Sequence, residues 1–395
     1  MTDTRSVTGT RPPKPRNNPA QTKPTTVVSV GSMDYTLYLV VIILVCIGVI
    51  MVFSASYVRA ATRIIFNQDA FYFLRRNGLM AIGGFIVMNI TANVYYGWYK
   101  PWARLLYAVT IGLLIAVLFI GLGSGGAIRW LPIPGTDFAF QPSEIAKAAA
   151  IFIMAWMVSE YEGGLRNWPG FLIYCGVAGL ITGLVMYTGF SSGIIVAVIA
   201  FGMIFIASPH ILRFVLIGAA GVAGAVGIIV FGEGFRIARV AAWRDPWAYF
   251  DDVGFQIVQS LYAIASGGLF GLGIGESRQA TFVPEAHNDI IFAIIAEELG
   301  LIGAGLVMLL FGIFIWRGIK IALNAPDTFS SMTAIGIVFG IAFQAIINIA
   351  VVTNAIPNTG VTLPFISYGG TSLIVSMALA GVLLNISRYS KERGG

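Results

Sequence analysis

Charged side chains are scarce in this chain of 395 residues: they make up 11% of it, whereas hydrophobic residues make up 57%. A soluble globular protein carries roughly 25% charged residues. The polar surface is too small to cover a water-soluble body, which excludes the soluble classes and makes lipid the expected solvent. The 47 glycines fit the same interpretation, because small residues let membrane helices approach closely.

Cysteine is almost absent, and nucleotide-binding patterns are missing as well. Cys46 and Cys175 each lie inside an apolar stretch, so we expect small core residues rather than a disulfide or a reactive thiol. The glycines at 271, 273 and 275 follow no strand–helix–strand pattern, which argues against a nucleotide site. We expect no contact with nucleic acid.

Apolar segments long enough to cross a bilayer run through most of the chain. A spanning helix needs about 20 mostly apolar residues. The sequence therefore predicts an all-α polytopic membrane protein of about ten helices, with a membrane domain over 34–388. The predicted spans are 34–56, 76–94, 103–122, 142–160, 169–187, 190–207, 211–231, 289–316, 329–353 and 364–386.

The basic residues indicate the orientation. Residues 1–33 are polar, rich in Pro, Thr and basic side chains, and lack an apolar run, so we expect a disordered tail. With this tail inside, most Lys and Arg of the short loops also fall inside, as the positive-inside rule requires. Both termini are then cytoplasmic, with a second short tail at 389–395.

One long loop, 232–288, holds much of the polarity and is predicted to lie outside, between the seventh and eighth spans. A structureless loop of this length would be unusual, so it is expected to be functional. Its amphipathic stretch Phe255–Leu261 is predicted to lie along the membrane surface.

Three titratable side chains follow one another at the end of that loop: Glu285, His287 and Asp289. A partly desolvated carboxylate here could act as a general base. The alternative for Asp289 is a helix-start acid that binds free backbone N–H groups. The three groups could also hold a metal, although their spacing matches no known ligand signature, and His287 could be structural.

Two further segments carry candidate site residues. In Gln141–Lys147, Glu144 and Lys147 are three residues apart and share a helix face, either as a structural ion pair or as a headgroup-binding pair. Arginines suited to phosphate stand in the loops predicted to lie on the same side: Arg129, Arg236, Arg239 and Arg244. The Gly- and Pro-rich stretch Ile356–Ser372 indicates irregular backbone against a cavity, and its Ser367 is a candidate substrate contact.

These stretches resemble the SEDS family of cell-wall polymerases, which includes the division protein FtsW, its elongation counterpart RodA and its sporulation counterpart SpoVE. The resemblance covers about residues 34–388. Its specific parts are Gln141–Lys147, Asp245-Pro246, Gly254–Gln256, Gln259-Ser260, Gly267–Gly271, Pro284–Asp289, Glu297–Gly300 and Pro357–Ser372. The basic tail and the ending Leu384–Arg388 lean toward the division and sporulation branch.

The resemblance implies a glycosyltransferase that polymerises lipid II on the outer face of the bacterial cytoplasmic membrane, together with a class B penicillin-binding protein. Asp289 matches the family's essential acid, and Glu144 and Lys147 match polar residues needed for activity. No organic cofactor is implied, but a divalent cation, Mg²⁺ or Mn²⁺, could accompany the pyrophosphate. One departure is Tyr187–Gly193, which lacks the acid that family members usually carry there.

Two alternatives to an enzyme stay open. A lipid II flippase would use the same substrate and cavity, but it would need polar groups at the midplane and often inverted repeats, and the sequence shows no clear repeat. A scaffold that only recruits the penicillin-binding protein would explain the long loop. It would not explain Glu144 and Lys147 within a spanning segment.

Overall fold

The computed structural model describes residues 31–390 apart from 125–126, 133–134, 136–138, 162, 217, 219–233 and 284. We number its helices α1 to α12 and its short strands β1 to β3 in chain order. The helices are α1 (Tyr35–Thr62), α2 (Tyr72–Asn93), α3 (Tyr99–Ile120), α4 (Pro142–Glu160), α5 (Trp168–Thr188), α6 (Phe190–Ala207), α7 (Gly234–Arg244), α8 (Phe255–Gly267), α9 (Gln279–Phe282), α10 (Ile291–Leu323), α11 (Thr328–Val352) and α12 (Gly370–Arg388).

Eight of these helices are long and apolar enough to cross a membrane: α1, α3 with its preceding turn, α4, α5, α6, α10, α11 and α12. Large apolar side chains cover the outside of the bundle, for example Phe119 and Ile346, as expected of a lipid-facing surface. The prediction of an all-α polytopic membrane protein is therefore confirmed.

The two remaining predicted spans have different outcomes. Segment 76–94 is α2, a helix of 22 residues that falls short of the hydropathy of the eight because it contains Arg75, Arg76 and several asparagines. Segment 211–231 is helical over 211–216, and most of the rest lies outside the described residues, as do 1–30 and 391–395 of the two tails. A total of ten helices thus stays a prediction.

A small antiparallel sheet stands between α3 and α4, and sequence reasoning did not predict it. Its strands are β1 (Leu122–Ser124), β2 (Ala127–Pro132) and β3 (Ala139–Phe140), in that order. Strands this short carry too few residues for an alternating pattern to show. The sheet matters because β2 carries Arg129.

The long loop is mostly helical, since it contains α7, α8 and α9. The stretch predicted to lie on the membrane surface, Phe255–Leu261, is the first half of α8 and packs one face against α10, burying Ile257, Val258 and Ser260. Its position relative to the membrane stays a prediction. The expectation for Cys46 was wrong: its side chain is exposed on the outside of α1 rather than buried in the core.

Close packing of α2 and α12 forms one wall of the bundle. The Thr91 hydroxyl donates to the Ala378 carbonyl at 3.0 Å, and a Cβ on Gly381 would lie 2.3 Å from the Met88 carbonyl oxygen. At the end of this wall, the buried Asn385 amide donates to the Ala92 carbonyl and accepts from the Tyr96 N–H, both at 2.9 Å. One side chain thus joins three segments.

Replacing Asn385 by alanine should destabilise the bundle by about 1–3 kcal/mol, because the buried Ala92 carbonyl and Tyr96 N–H lose their partner. Thermal unfolding in detergent measures the change. Asn93→Ala is the matched control, because Asn93 is exposed at the end of α2. Equal midpoints for Asn385→Ala and Asn93→Ala would contradict the assignment.

Candidate functional site

The described chain surrounds a partly open cavity of about 910 Å³, which we call the site cavity. Its walls come from α2, the small sheet, α7, α11, the first turns of α4, α6 and α12, the segment before α10 and the irregular chain before α12. Its charged lining residues are Arg76, Arg129, Glu144, Lys147, Arg239, Glu285 and Asp289. Segments far apart in sequence therefore place both signs of charge around one space.

Asp289 lies directly before α10 with its carboxylate half-buried at the cavity wall. The carboxylate accepts a hydrogen bond from Gln256 Nε2 at 3.0 Å. The main-chain carbonyl of Asp289 accepts one from Asn348 Nδ2 at 2.6 Å. No side chain caps the start of α10, where Ile290 stands in the cap position. The alternative of a capping acid is therefore not what the structure shows.

Burial raises the pKa of Asp289 to about 6 from its ordinary value of 3.8. The neighbouring Glu285 raises it further, whereas the hydrogen bond from Gln256 and the charge of Arg239 lower it. Protein surrounds most of the carboxylate, but one side faces the site cavity. An acid with this pKa is mostly ionised at neutral pH and can still take up a proton from a reacting group.

A buried chain of contacts joins α4 to α11. Lys147 Nζ lies 2.7 Å from Glu144 Oε2 and donates to Gln344 Oε1 at 2.9 Å. Gln344 Nε2 in turn donates to the Thr362 carbonyl at 2.9 Å. Because Glu144 and Lys147 are only 7% and 8% exposed, each charge depends on the other and on Gln344 for stabilisation.

Two of the four predicted arginines line the cavity. Arg129 reaches it from β2, and Arg239 reaches it from α7 while donating to the Asn358 carbonyl at 3.4 Å. Burial lowers the pKa of Arg239, the charge of Arg129 lowers it further, and the charge of Asp289 raises it. Arg244 is exposed at the end of α7 and does not line the cavity, and the side chain of Arg236 lies outside the described part of α7.

Sequence reasoning missed Arg76 of α2, which lines the cavity and donates to the Tyr72 hydroxyl at 3.0 Å. A signal for it was present: Arg75-Arg76-Asn77 interrupts an otherwise apolar segment at its first turns. Ionisable groups in such a segment usually face a polar space. Arg75 does not line the cavity and forms a salt bridge with Asp69 instead.

His287 and Ser367 are buried against other protein groups and do not line the site cavity. The His287 ring is 3% exposed between Phe73 and Tyr368, with ring centroids 4.4 and 5.2 Å away. Burial and then the charge of Arg59 lower the pKa of His287 to about 3, so the ring is neutral. The Ser367 hydroxyl accepts a hydrogen bond from the Leu363 N–H at 2.7 Å.

Glu285 does line the cavity, from an exposed position with a positive φ of 62°. Its carboxylate accepts a hydrogen bond from Asn288 Nδ2 at 2.9 Å, which braces the turn before Asp289. Within the described ranges, no three His, Cys, Asp or Glu side chains are arranged to hold a metal ion. The grouping of Glu285, His287 and Asp289 as metal ligands is therefore not formed.

The departure at Tyr187–Gly193 opens space beside Arg129. A Cβ on Gly189 would lie 3.2 Å from Arg129 Nε, so the missing side chain leaves room for the guanidinium. Ser192 lines the cavity, and the hydroxyl of Ser191 donates to the Thr359 carbonyl. Small polar side chains thus stand where the sequence comparison expected an acid.

Comparison with known proteins identifies the family of this chain. The family described as "Cell cycle protein", FtsW/RodA/SpoVE, matches residues 35–392. The chain belongs to this family. Stage V sporulation protein E of Bacillus subtilis is 42% identical over 365 residues, covering 91% of this chain and 98% of that protein. The probable peptidoglycan glycosyltransferase FtsW of Geobacter sp. is 39% identical over 363 residues, covering 91% and 97%.

Solved structures of the family share the fold. A chain from a structure on the coordination of polymerization and crosslinking by a peptidoglycan synthase complex is 24% identical, with a TM-score of 0.75 over 90% of this chain and 98% of that one. The rod shape determining protein RodA of Thermus thermophilus is 23% identical, with a TM-score of 0.66 over 90% and 97%. At these identities the likeness concerns the fold.

The two interpretations of Glu144 and Lys147 predict different behaviour of a double variant. Lys147→Met alone should cost about 3–5 kcal/mol, because it leaves the Glu144 carboxylate buried and unpaired. Adding Glu144→Gln removes that charge and should restore most of the stability, which thermal unfolding measures.

Activity of the restored double variant then separates the two roles. If the pair binds the substrate, the stable double variant should stay inactive in a lipid II polymerisation assay. Wild-type activity from the stable double variant would show that the pair only holds α4 against α11.

Proposed function

We propose that this protein is a peptidoglycan glycosyltransferase that polymerises lipid II into glycan strands. The observation that carries the proposal is the site cavity, which joins one carboxylate with a raised pKa, Asp289, to the cations Arg76, Arg129, Lys147 and Arg239. The name of the Geobacter relative, a probable peptidoglycan glycosyltransferase, supports the same reaction.

Asp289 takes the role of general base. A hydroxyl of the acceptor sugar attacks the anomeric carbon of the donor, and its proton passes to the Asp289 carboxylate as the new glycosidic bond forms. At the same time the bond from the anomeric carbon to the pyrophosphate oxygen breaks, and the electron pair leaves with undecaprenyl pyrophosphate. The donor supplies its own activated leaving group, so the protein needs to position the two sugars and balance the charges.

The cations stabilise the departing pyrophosphate. Arg129 and Arg239 line the cavity together with Asp289, and the charges of both Arg129 and Asp289 act on Arg239. A guanidinium matches phosphate oxygens with paired donors. The mutual repulsion of Arg129 and Arg239 is partly relieved when an anion binds between them. A divalent cation, Mg²⁺ or Mn²⁺, belongs to this proposal as part of the substrate: it would enter with the pyrophosphate and would help to neutralise its charge.

We assign the reaction to the outer face of the bacterial cytoplasmic membrane, with both termini in the cytoplasm. The positive-inside pattern of the loops supports this orientation. The two ends of the described chain also meet, since the Gly31 N–H donates to the Arg388 carbonyl at 2.7 Å, which supports termini on one side.

A class B penicillin-binding protein is the proposed partner. The fold, which is shared with a chain from a peptidoglycan synthase complex in which polymerization and crosslinking are coordinated, supports this partner. A role limited to lipid II transport or to recruitment of the partner is tested by the same assay as the enzymatic role.

Asp289→Asn should abolish polymerisation, because an amide cannot accept the proton. The full chain would be purified with its matched penicillin-binding protein, supplied with lipid II and moenomycin, and the glycan products separated on a gel. The double variant Asn288→Asp/Asp289→Asn is a useful companion, since it places an acid at the adjacent position, which should not restore polymerisation.

Equal polymer from wild type and Asp289→Asn would remove Asp289 as the base. No polymer from either protein, despite a verified partner complex, would favour transport. A lipid II translocation assay in vesicles would then decide between a flippase and a scaffold.

The rate of polymerisation should fall to half its limiting value near pH 6, because Asp289 must be ionised to act as a base and its pKa is about 6. The activity is present above that pH and is lost as pH falls through it. Initial rates from pH 4.5 to 8 measure this limb. Rates that stay close to their limiting value down to pH 4.5, as expected for a carboxylate with the ordinary pKa of 3.8, would contradict the assignment.

A further inference from the structure

Helix α10 is broken nine residues after it begins. Gly300 has φ +67° and ψ −170°, which interrupts the helical hydrogen bonds between the first part, Ile291–Leu299, and the long second part. At 1.5 Å per residue the break lies about 14 Å from the first residue of α10. Backbone groups freed at such a depth need protein partners.

A single segment supplies those partners. We call Gly268–Arg278 the clasp. Its Gly268 and Leu269 carbonyls accept from the Leu301 and Ile302 N–H groups at 2.9 and 3.2 Å. In return, the Leu272 and Gly273 N–H groups donate to the Glu297 and Glu298 carbonyls at 2.9 and 3.0 Å. The exchange satisfies donors and acceptors on both sides of the break.

Glycine is required where the clasp meets the break. A Cβ on Gly271 would lie 2.1 Å from the Glu298 carbonyl oxygen, and one on Gly300 would lie 2.4 Å from the Leu269 carbonyl oxygen. Both residues also have positive φ, at +81° and +67°. The approach of the two backbones therefore fixes the clasp and the break to each other with little freedom.

The side chain of Glu297 fastens the far end of the clasp. Its carboxylate is fully buried and accepts from the Arg278 N–H at 3.1 Å, the Gln279 N–H at 3.4 Å, and the hydroxyls of Ser277 and Ser266. Among the described residues, no salt bridge includes Glu297. A buried carboxylate that accepts from four donors uses its acceptor-only character, which an amide cannot reproduce.

Two helices connect the clasp to Asp289: α8 and the first part of α10. Helix α8 runs from Gln256, which holds the Asp289 carboxylate, to Gly267, whose Cβ position would lie 1.9 Å from the Ala296 carbonyl oxygen. The first part of α10 runs in the same direction beside it, from Asp289 to Glu297. A shift of the clasp would therefore slide α8 along α10 and change the contact between Gln256 and Asp289.

We propose that Glu297 is a positioning residue for the reaction: by fastening the clasp across the break in α10, it sets the register of α8 against the first part of α10 and thereby the placement of the Asp289 carboxylate in the site cavity. Glu297 itself does not line the cavity. It acts through the backbone, so it changes the rate of the chemical step rather than the binding of lipid II. The inference rests on the proposed function.

Glu297→Gln is the central test, because it keeps the size of the side chain and turns one acceptor into a donor that faces N–H groups. We expect kcat for polymerisation to fall by about 10- to 100-fold, as for a small misplacement of a catalytic group. KM for lipid II should stay within about threefold of wild type, because uniform binding is untouched. The measurement uses the full chain in complex with its partner.

The pH profile distinguishes positioning from loss of folded protein. When the Gln256 contact loosens, Asp289 loses a hydrogen bond that lowers its pKa, but water also relieves the burial, which is the larger effect and raises the pKa. The acidic limb of the kcat profile should therefore move to lower pH. The other charges that face Asp289, Glu285 beside it and Arg239 from α7, are unchanged in this variant. A fall in kcat with an unmoved limb, a rise in KM alone, or wild-type kcat would each overturn the proposal.

Two further variants keep the test interpretable. Glu276→Gln makes the same chemical change at an exposed position of the clasp, and its kinetics should equal those of wild type. Ser277→Ala removes one donor to Glu297 without creating a clash and should give a smaller effect in the same direction. The double variant with Glu297→Gln should be no slower than Glu297→Gln alone, and additive losses would contradict a shared contact.

A structural readout separates this proposal from the proposed function. In Glu297→Gln, hydrogen exchange should accelerate at the Leu272, Gly273, Leu301 and Ile302 amides and at the start of α10, whether or not the reaction is polymerisation. If wild type makes no polymer, the proposed function fails while this exchange result still tests the clasp. If wild type polymerises and the exchange of Glu297→Gln is unchanged, the positioning role fails alone.

Discussion

Every backbone group that leaves regular structure inside a membrane must find a partner within the protein, and this constraint organises the molecule around its cavity. Two segments are irregular there: the turn before α10 and the chain between α11 and α12. Two side-chain amides of α11 donate hydrogen bonds to carbonyls of these segments. Asn348 donates to the Asp289 and Val361 carbonyls at 2.6 and 2.7 Å, and Gln344 donates to the Thr362 carbonyl.

The same side chains that satisfy the irregular backbone also arrange the charges. Gln344 accepts from Lys147 while it donates to Thr362, so the buried pair with Glu144 and the wall of the cavity are stabilised together. Gln256 holds the Asp289 carboxylate and accepts from Asn358 Nδ2 at 2.9 Å. A carboxylate with a raised pKa is thus kept in place by neutral amides, which orient it without neutralising it.

The broken helix α10 shows how far such support extends. Its first part is short enough to be moved as a unit, and its position depends on the clasp rather than on continuous helical bonds. Two motifs that sequence comparison noted separately, Gly267–Gly271 and Glu297–Gly300, meet at this break. One contact joins them, in which Gly271 and Gly300 each let the other backbone approach.

The sequence by itself determined the membrane class, the spans with strong hydropathy and the segments that hold Glu144, Lys147 and Asp289, because hydrophobic runs and isolated charges within them are local signals. Tertiary structure alone decided which arginines share the cavity, since Arg76, Arg129 and Arg239 come from three distant segments while Arg244 points elsewhere. It also decided that His287 is a neutral core ring and that Glu297 fastens the clasp. Such roles depend on which neighbours a folded chain brings to a buried group, and no local pattern encodes that.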